Sequence, residues 1–563
     1  MNLDVLPLAE KFSDILNVFS FLGFVLTGAL NAAFMILISY KFFQTMQQVG
    51  YRGDEYSLWL NRKNNGAVTR LFMLSLLSTL AFFLVNTALS VIESPLVNYC
   101  GFIPYLIFLA VYFGGEKRAK KKVPLVYTRR MLRLIVSFSV LTVLFSVIAM
   151  IGANAVAGLL PQGSILRNYR YFIICFSPAL VPYTVLLAYY INNPLEKRKN
   201  KKYVKKAESA LDERKDLIKI AITGSYGKTS VKEILKAFLS MKYEVLATPE
   251  SYNTPLGIAK TVKNLDDNDK IFIAEEGARR AGDIKELTTI VKPNIAVITG
   301  VTAQHLETFK SIKAIENAKY ELIENMPDGG KAYFSSDCEA TVKMYEKCPY
   351  SKVLAGVGNK VRGGVYVSGS VSDLTGSKFT LFINGKSAQI ETKLLGAHNV
   401  ANIALAAAVA VDLGVSLNEI KQAAASLKPV RHRLERIDGE NGVIVIDDGY
   451  NSNPEGFNRA MELLNTYSGK KYVVTPGFAE LGFTENEYNF KAGEVMAGVA
   501  DKVILVGRGG ALHVKEGLLY RGYPSENIVM VKDLDEAKLS LSEFLRRGDA
   551  VLFENDLLDK YLF

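Results

Sequence analysis

Hydrophobic positions follow two different regimes along this chain. Up to residue 192 they form long runs, at 15–40, 71–92, 97–114, 134–158 and 171–192. A helix needs about 20 mostly apolar residues to cross a hydrocarbon core of about 30 Å, so these runs predict about five membrane-spanning helices. The third is short and carries Pro104, which makes it either re-entrant or earlier in its start. After about residue 217 short apolar runs of strand length alternate with stretches of helical period, as in an α/β protein. Residues 217–223, 271–274 and 295–298 read as buried strands, and 230–241, 311–325 and 402–413 as helices. Farther on, strand 442–446, a helix through Leu464, and strands 471–475 and 502–506 repeat a Rossmann-like βαβ order.

At 563 residues the chain is too long for one core. The pattern divides it into a transmembrane helical domain at 1–192, a basic cytoplasmic linker at 193–216, a central α/β domain at 217–430 and a C-terminal domain at 431–563. The net charge of +11 belongs in part to two basic stretches beside apolar runs, 117–133 and 197–206. Such flanks mark the cytoplasmic side and meet anionic head groups. With 41–70 also basic and 93–96 not, the N-terminus is expected outside and the fifth span delivers the rest of the chain to the cytoplasm, in a multi-pass plasma-membrane protein. Arg167 and Arg170, on an outer loop, run against this bias. No aromatic-basic module accompanies the charge, so nucleic acid is not an expected partner. The four cysteines lack the paired short spacing of a zinc or disulfide framework. The first apolar run exceeds a signal-peptide core and is read as a retained span. The spans carry no acidic pair or histidine chain for a proton relay, and are read as an anchor that binds lipid and envelope-synthesis partners or holds a lipid-linked substrate.

The soluble half carries its chemistry first at Thr223-Gly224-Ser225-Tyr226-Gly227-Lys228-Thr229-Ser230. A strand, a glycine turn and a helix N-terminus aim backbone N–H groups and the helix dipole at phosphates. Lys228 would neutralise the β- and γ-phosphates, and Thr229 would offer its hydroxyl to Mg2+. The spacing departs from the common phosphate loop, because Ile222 stands where a glycine five positions before Gly227 is usual. Glu275 ends a predicted strand, where a carboxylate can face the crevice of a parallel sheet. Glu276 should point the other way and serve structure. His305 follows another strand at the same edge.

These segments resemble the Mur ligases, most closely the branch that adds D-alanyl-D-alanine to a muramoyl tripeptide. The resemblance covers about 217–550 and rests on blocks in the family's order. They are Thr223 to Ser230; Ser251-Tyr252-Asn253-Thr254-Pro255-Leu256-Gly257; Glu275-Glu276-Gly277-Ala278 with Gly282-Asp283-Ile284; His305-Leu306-Glu307 with Lys319; Gly396-Ala397-His398-Asn399-Val400; Arg433-Leu434-Glu435; Asp447-Asp448-Gly449-Tyr450-Asn451-Ser452-Asn453-Pro454; and Ala479-Glu480-Leu481-Gly482. It implies ATP and Mg2+ as cofactors, with the metal on Thr229, Glu275, His305 and a carbamylated Lys319. Nucleotide contacts would come from Gly224, Ser225, Gly227, Lys228, Thr229, Ser230, Asn253, His398, Asn399, Arg433, Asp448, Tyr450, Asn451 and Asn453. Lys228, His305, Lys319 and Arg433 would carry catalysis, the arginine reaching the phosphates as the domains close. A carboxylate acceptor and an amine donor are the substrates implied.

Three departures bear on the substrate. The membrane runs stand where the family's uridine-nucleotide domain is expected. Arg279 and Arg280 replace the usual Asn and His beside the metal carboxylate, and Glu554-Asn555-Asp556 replaces a basic turn. His432 also stands where a glycine usually precedes the arginine. The reading is an ATP-dependent amide ligase at the inner membrane face, acting on a lipid-linked or polymeric envelope intermediate. The alternatives are an anchored muramoyl-tripeptide D-alanyl-D-alanine ligase, a poly-γ-glutamate-type synthase and a non-catalytic ATP-binding scaffold.

Overall fold

The computed structural model describes residues 28–62, 65–89, 102–118, 124–159, 172–358, 364–439, 442–450 and 453–555. They form two compact units whose boundary falls between Lys199 and Asn200.

The first unit is helical. Among the described residues three helices are long and apolar enough to cross a membrane, Gly66–Leu89, Arg129–Ala153 and Ile173–Glu213. The apolar stretches Gly28–Ile38 and Ile103–Gly115 are shorter, and the first half of the run expected at 15–40 lies outside the described residues. The burial pattern is inverted relative to a soluble bundle: Leu84 and Ile148 are exposed while polar groups are buried. Asn31 Nδ2 donates to Ser146 Oγ at 2.9 Å and to Ser177 Oγ at 3.1 Å, and Tyr105 OH donates to Asn31 Oδ1 at 2.6 Å. Interhelical hydrogen bonds of this kind join helices where apolar contact alone gives little preference over lipid. The stretch expected as a linker is helical through Glu213. Its Lys, Glu and Ala residues are good helix formers.

In the second unit the core sheet has nine strands in the order β2-β3-β1-β4-β5-β6-β7-β8-β9. These are β1 Ile218–Thr223, β2 Val245–Ala247, β3 Ile271–Glu275, β4 Ile295–Ile298, β5 Lys331–Ser335, β6 Ser351–Val357, β7 Val365–Asp373, β8 Gly376–Ile383 and β9 Lys386–Thr392. The strands from β2 to β7 pair in parallel, and β7, β8 and β9 continue as an antiparallel meander. β1, β3 and β4 are mostly apolar, as suits parallel strands covered on both faces. β1 lies between β3 and β4, so the crevice beyond its carboxyl end is the switch point where such sheets bind ligands.

Helix Lys228–Leu239 buries Val231, Ile234, Leu235 and Phe238 on one face. Beside it runs Ala397–Asp412, buried along nearly its whole length, with alanine at Ala401, Ala404, Ala406, Ala407, Ala408 and Ala410. The small side chains let this helix press close to the sheet and to Lys228–Leu239.

The second sheet has the order β10-β11-β15-β12-β13-β14, with β10 Glu435–Asp438, β11 Ile444–Asp448, β12 Lys471–Thr475, β13 Lys502–Val506, β14 Ile528–Val531 and β15 Ala550–Glu554. All but β10 are parallel, and helices Pro454–Asn465, Glu485–Ala497, Gly509–Tyr520 and Leu534–Phe544 connect them.

Candidate active site

The phosphate loop leaves β1 through two glycines in the left-handed half of backbone space, Gly224 at φ 155° and Gly227 at φ 77°. A Cβ on Gly224 would collide with the Thr299 hydroxyl, so the close approach of the loop to β4 needs glycine there. Ser225 N–H donates to Gly300 O at 2.7 Å, and the Thr299 hydroxyl donates to Tyr226 O. Ser230 is buried in the first turn of the helix that follows. Lys228 Nζ folds back onto Gly224 O at 2.7 Å. Burial pulls its pKa down to about 8, with Glu275 opposing and Arg433 assisting.

The carboxylate of Glu275, at the carboxyl end of β3, is 1% exposed. It accepts from Thr229 Oγ1 at 2.9 Å and Asn253 Nδ2 at 3.1 Å, with Lys232 Nζ at 3.5 Å. A buried carboxylate paired with a helix-start hydroxyl is a hard oxygen donor set, which suits Mg2+. Among the described residues no three His, Cys, Asp or Glu side chains form a ready-made metal cage. Nucleotide phosphate oxygens and water would complete the ligand set of an ion held there. Glu276 points to the other face, as strand alternation requires, and accepts from Thr288 Oγ1 at 2.9 Å. Burial raises its pKa to about 8.

His305 has φ 53° and precedes the short helix Leu306–Phe309. Its Nδ1 is bound to Glu480 Oε2 of the C-terminal domain, and burial lowers its pKa. Lys319, on Ile312–Glu324, is 3% exposed. Burial, followed by repulsion from Lys228, brings its pKa down to about 7. Such a lysine has an amine free to react near neutral pH.

On the nucleotide side, the Nδ1 atom of His398 is buried with no hydrogen-bond partner among the described residues, and burial with Arg459 and Arg433 nearby lowers the pKa of the imidazole to about 4. The neutral imidazole presents an unsatisfied atom at the start of Ala397–Asp412. Asn399 is turned to local structure, donating to Leu395 O at 2.9 Å and accepting from Asn402 Nδ2 at 3.3 Å. Arg433 stacks over the Tyr450 ring at 5.0 Å. The residue before it, His432, has φ 60°, the conformation a glycine would supply, and is held by Asp447 at 2.7 Å. Tyr450 OH donates to Ser251 Oγ at 2.9 Å and so ties the C-terminal domain to the loop carrying Asn253. Asp448 accepts from Leu434 N–H at 3.1 Å, and burial raises its pKa to about 6. Asn453 is committed to capping Pro454–Asn465 through Gly456 N–H at 3.0 Å. Asn451 lies outside the described residues.

The sequence reading missed three contributors. Lys232 is fully buried and joins Glu275 to the Glu250 carbonyl; a lysine on the apolar stripe of its helix was the available signal. Thr299 braces the loop from β4, and Glu480 reaches His305, a pairing across 175 positions that no local pattern announces.

This arrangement of phosphate loop, strand-end carboxylate and capping second domain defines an ATP-dependent amide ligase, and the chain belongs to the Mur ligase family. The profile described as Mur ligase middle domain matches residues 222–410, and that described as Mur ligase, glutamate ligase domain matches 432–554. The UDP-N-acetylmuramoyl-tripeptide–D-alanyl-D-alanine ligase of Mycobacterium tuberculosis H37Rv is 32% identical over 354 residues, 59% of this chain and 69% of that one. The Escherichia coli K12 enzyme of the same name is 31% identical over 291 residues, 51% of this chain and 64% of that one. Among solved structures, MurF of Acinetobacter baumannii superposes with a TM-score of 0.58 at 25% identity, covering 63% of this chain and 77% of its own. MurF of Thermotoga maritima in complex with ADP gives 0.57 at 26%, covering 63% and 80%. The family's cofactors are ATP and Mg2+, and its reaction joins a carboxylate to an amine.

Proposed function

We propose that this chain is a membrane-anchored amide ligase of cell-envelope synthesis. In this reading it works at the cytoplasmic face of the plasma membrane on a lipid-linked or polymeric acceptor. The observation that carries the proposal is the joining of a Mur ligase middle and C-terminal domain to a unit with three helices of membrane-spanning length and apolarity. The match to the tripeptide ligases favours a second reading, D-alanyl-D-alanine addition to a muramoyl tripeptide with the helices serving only to localise it.

Either reaction must turn a carboxylate into an acyl phosphate before an amine can displace the oxygen. Thr229, Glu275, His305 and a carbamylated Lys319 would hold Mg2+, which screens charge between the transferring phosphate oxygens. The glycine turn and Lys228 would bind the phosphates and offset their charge. Glu275 is kept in place by Thr229, Asn253 and Lys232. Arg433, aligned on Tyr450, brings a second cation to the phosphates from the C-terminal domain. Contact of that domain with the Ser251 and His305 loops excludes the water that would hydrolyse the acyl phosphate.

The test is mass spectrometry of envelope precursors accumulating in cells carrying Lys228→Ala. A lipid-linked or polymeric species short of one amino-acid unit supports the proposal. Accumulation of a soluble uridine-linked tripeptide instead establishes the second reading.

A further inference from the structure

The block Ala479-Glu480-Leu481-Gly482 has no role in the steps above, yet its glutamate is the side chain from the C-terminal domain that reaches the His305 imidazole. The contact is built from both sides. His305 and Glu480 are non-glycine residues at φ 53° and 66°, a conformation that costs free energy and persists where surrounding contacts enforce it. Glu307 N–H donates to Glu480 O at 3.1 Å, which fixes the two loops backbone to backbone. Gly482 lies against the Glu307 backbone, where an added Cβ would come to 3.5 Å. The other carboxylate oxygen, Oε1, faces Arg279 Nη1 at 3.8 Å, so the side chain is anchored at both oxygens.

An imidazole has two nitrogens, and a hydrogen bond at one decides what the other presents. With Nδ1–H donating to Glu480, Nε2 is left as the acceptor nitrogen and the ring is held at one edge. This is the carboxylate–histidine arrangement that orients imidazoles toward metal ions. Here the carboxylate and the histidine belong to different domains.

We infer that Glu480 is a positioning residue that sets the tautomer and orientation of His305 for the metal, so that the metal site is completed only when the C-terminal domain is docked on the central one. The inference rests on the reading of His305 as a metal ligand. Its consequence is reciprocal. Metal binding must favour the docked arrangement by the same factor by which docking favours metal binding.

The experiment is a titration of the full-length protein in detergent, with ADP bound, by Mn2+, with free Mn2+ read by electron paramagnetic resonance. The wild type is compared with His305→Ala, Glu480→Ala, Glu480→Gln and the double alanine variant. Thermal melting checks that each is folded; Glu480 sits on a loop with its side chain 18% exposed, so the glutamine variant keeps the shape. Glu480→Ala is expected to weaken Mn2+ binding by roughly 10- to 100-fold, the range for an outer-shell partner. Glu480→Gln, whose amide oxygen still accepts from Nδ1–H, is expected to lose less. The double variant should be no weaker than His305→Ala alone, because both act through one imidazole. Wild-type affinity in Glu480→Ala beside weakened binding in His305→Ala would overturn the inference and leave the metal reading standing. Additive losses would overturn it too, since they would mean Glu480 only packs the interface. Unchanged binding in His305→Ala would remove the metal reading itself and the inference with it.

Discussion

Lys319 offers a sharp test of the chemistry. Carbamylation needs a neutral amine, because the nitrogen lone pair attacks carbon dioxide and the carbamate then carries the negative charge. An ordinary lysine with a pKa of 10.5 is neutral to only about 0.3% at pH 8, whereas one at about 7 is neutral to about 90%, a gain of roughly 300-fold. The sign follows from the cause. Burial and the Lys228 ammonium both disfavour the charged form, so the reactive form is lost as pH falls through about 7, not as it rises. Protein held at pH 6 in carbon-dioxide-free buffer should therefore lose most of its ATP-dependent turnover and regain it when bicarbonate is added at pH 8. Carbon-13 spectra of protein supplied with labelled bicarbonate should show a carbamate signal absent from Lys319→Ala, and that variant should recover some activity with a small carboxylate such as formate. Turnover indifferent to bicarbonate, with no carbamate signal in active wild-type protein, would refute the reasoning.

Other substitutions probe the frame around the site. Gly224→Ala places a methyl group against Thr299 at a φ of 155°, so ADP binding measured by calorimetry should be lost while the circular dichroism spectrum is kept. Phe238→Ala removes a fully buried ring from the phosphate-loop helix and should destabilise the soluble unit by about 3–5 kcal/mol in a denaturant melt. Tyr450→Phe keeps the ring over Arg433 but removes the hydroxyl bond to Ser251; at about 0.5–1.5 kcal/mol per bond it should raise the KM for ATP a few-fold to about tenfold, with little change in melting temperature.

Where periodicity was unbroken, the chain announced its fold. β1, β3 and β4 are mostly apolar and were found to within a residue, as were β12 and β13. The antiparallel meander β7–β9 was missed because its exposed face dilutes the apolar signal, as the alternating burial of Gly376–Ile383 shows. The stretch expected as a basic linker at 193–216 is helical through Glu213. Lys, Glu and Ala together form helix, and the apolar positions Ala207 and Leu211 bury against the soluble core. At the site, residues near the phosphate loop in sequence or at strand ends were legible. Asn453, expected to touch the nucleotide, has its Oδ1 on a helix cap, a role the same residue type signals. Glu480 stood in a quoted block and Lys232 on an apolar helix stripe, but their partners His305, Glu250 and Glu275 are brought to them only by the folded chain.

The alanine helix Ala397–Asp412 has a consequence for motion. An alanine has no rotamers, so burying it forfeits essentially no side-chain entropy, whereas a buried leucine or methionine forfeits about 0.5–2 kcal/mol and retains the option of hopping between wells. A wall made of six such residues therefore has almost no internal settings to fluctuate among. Gly227 of the phosphate loop rests against the Asn402 side chain on that wall. The floor beneath the glycine turn is thus built of side chains with few alternatives, while the loops of Ser251 and His305 carry the contacts to Tyr450 and Glu480 of the C-terminal domain.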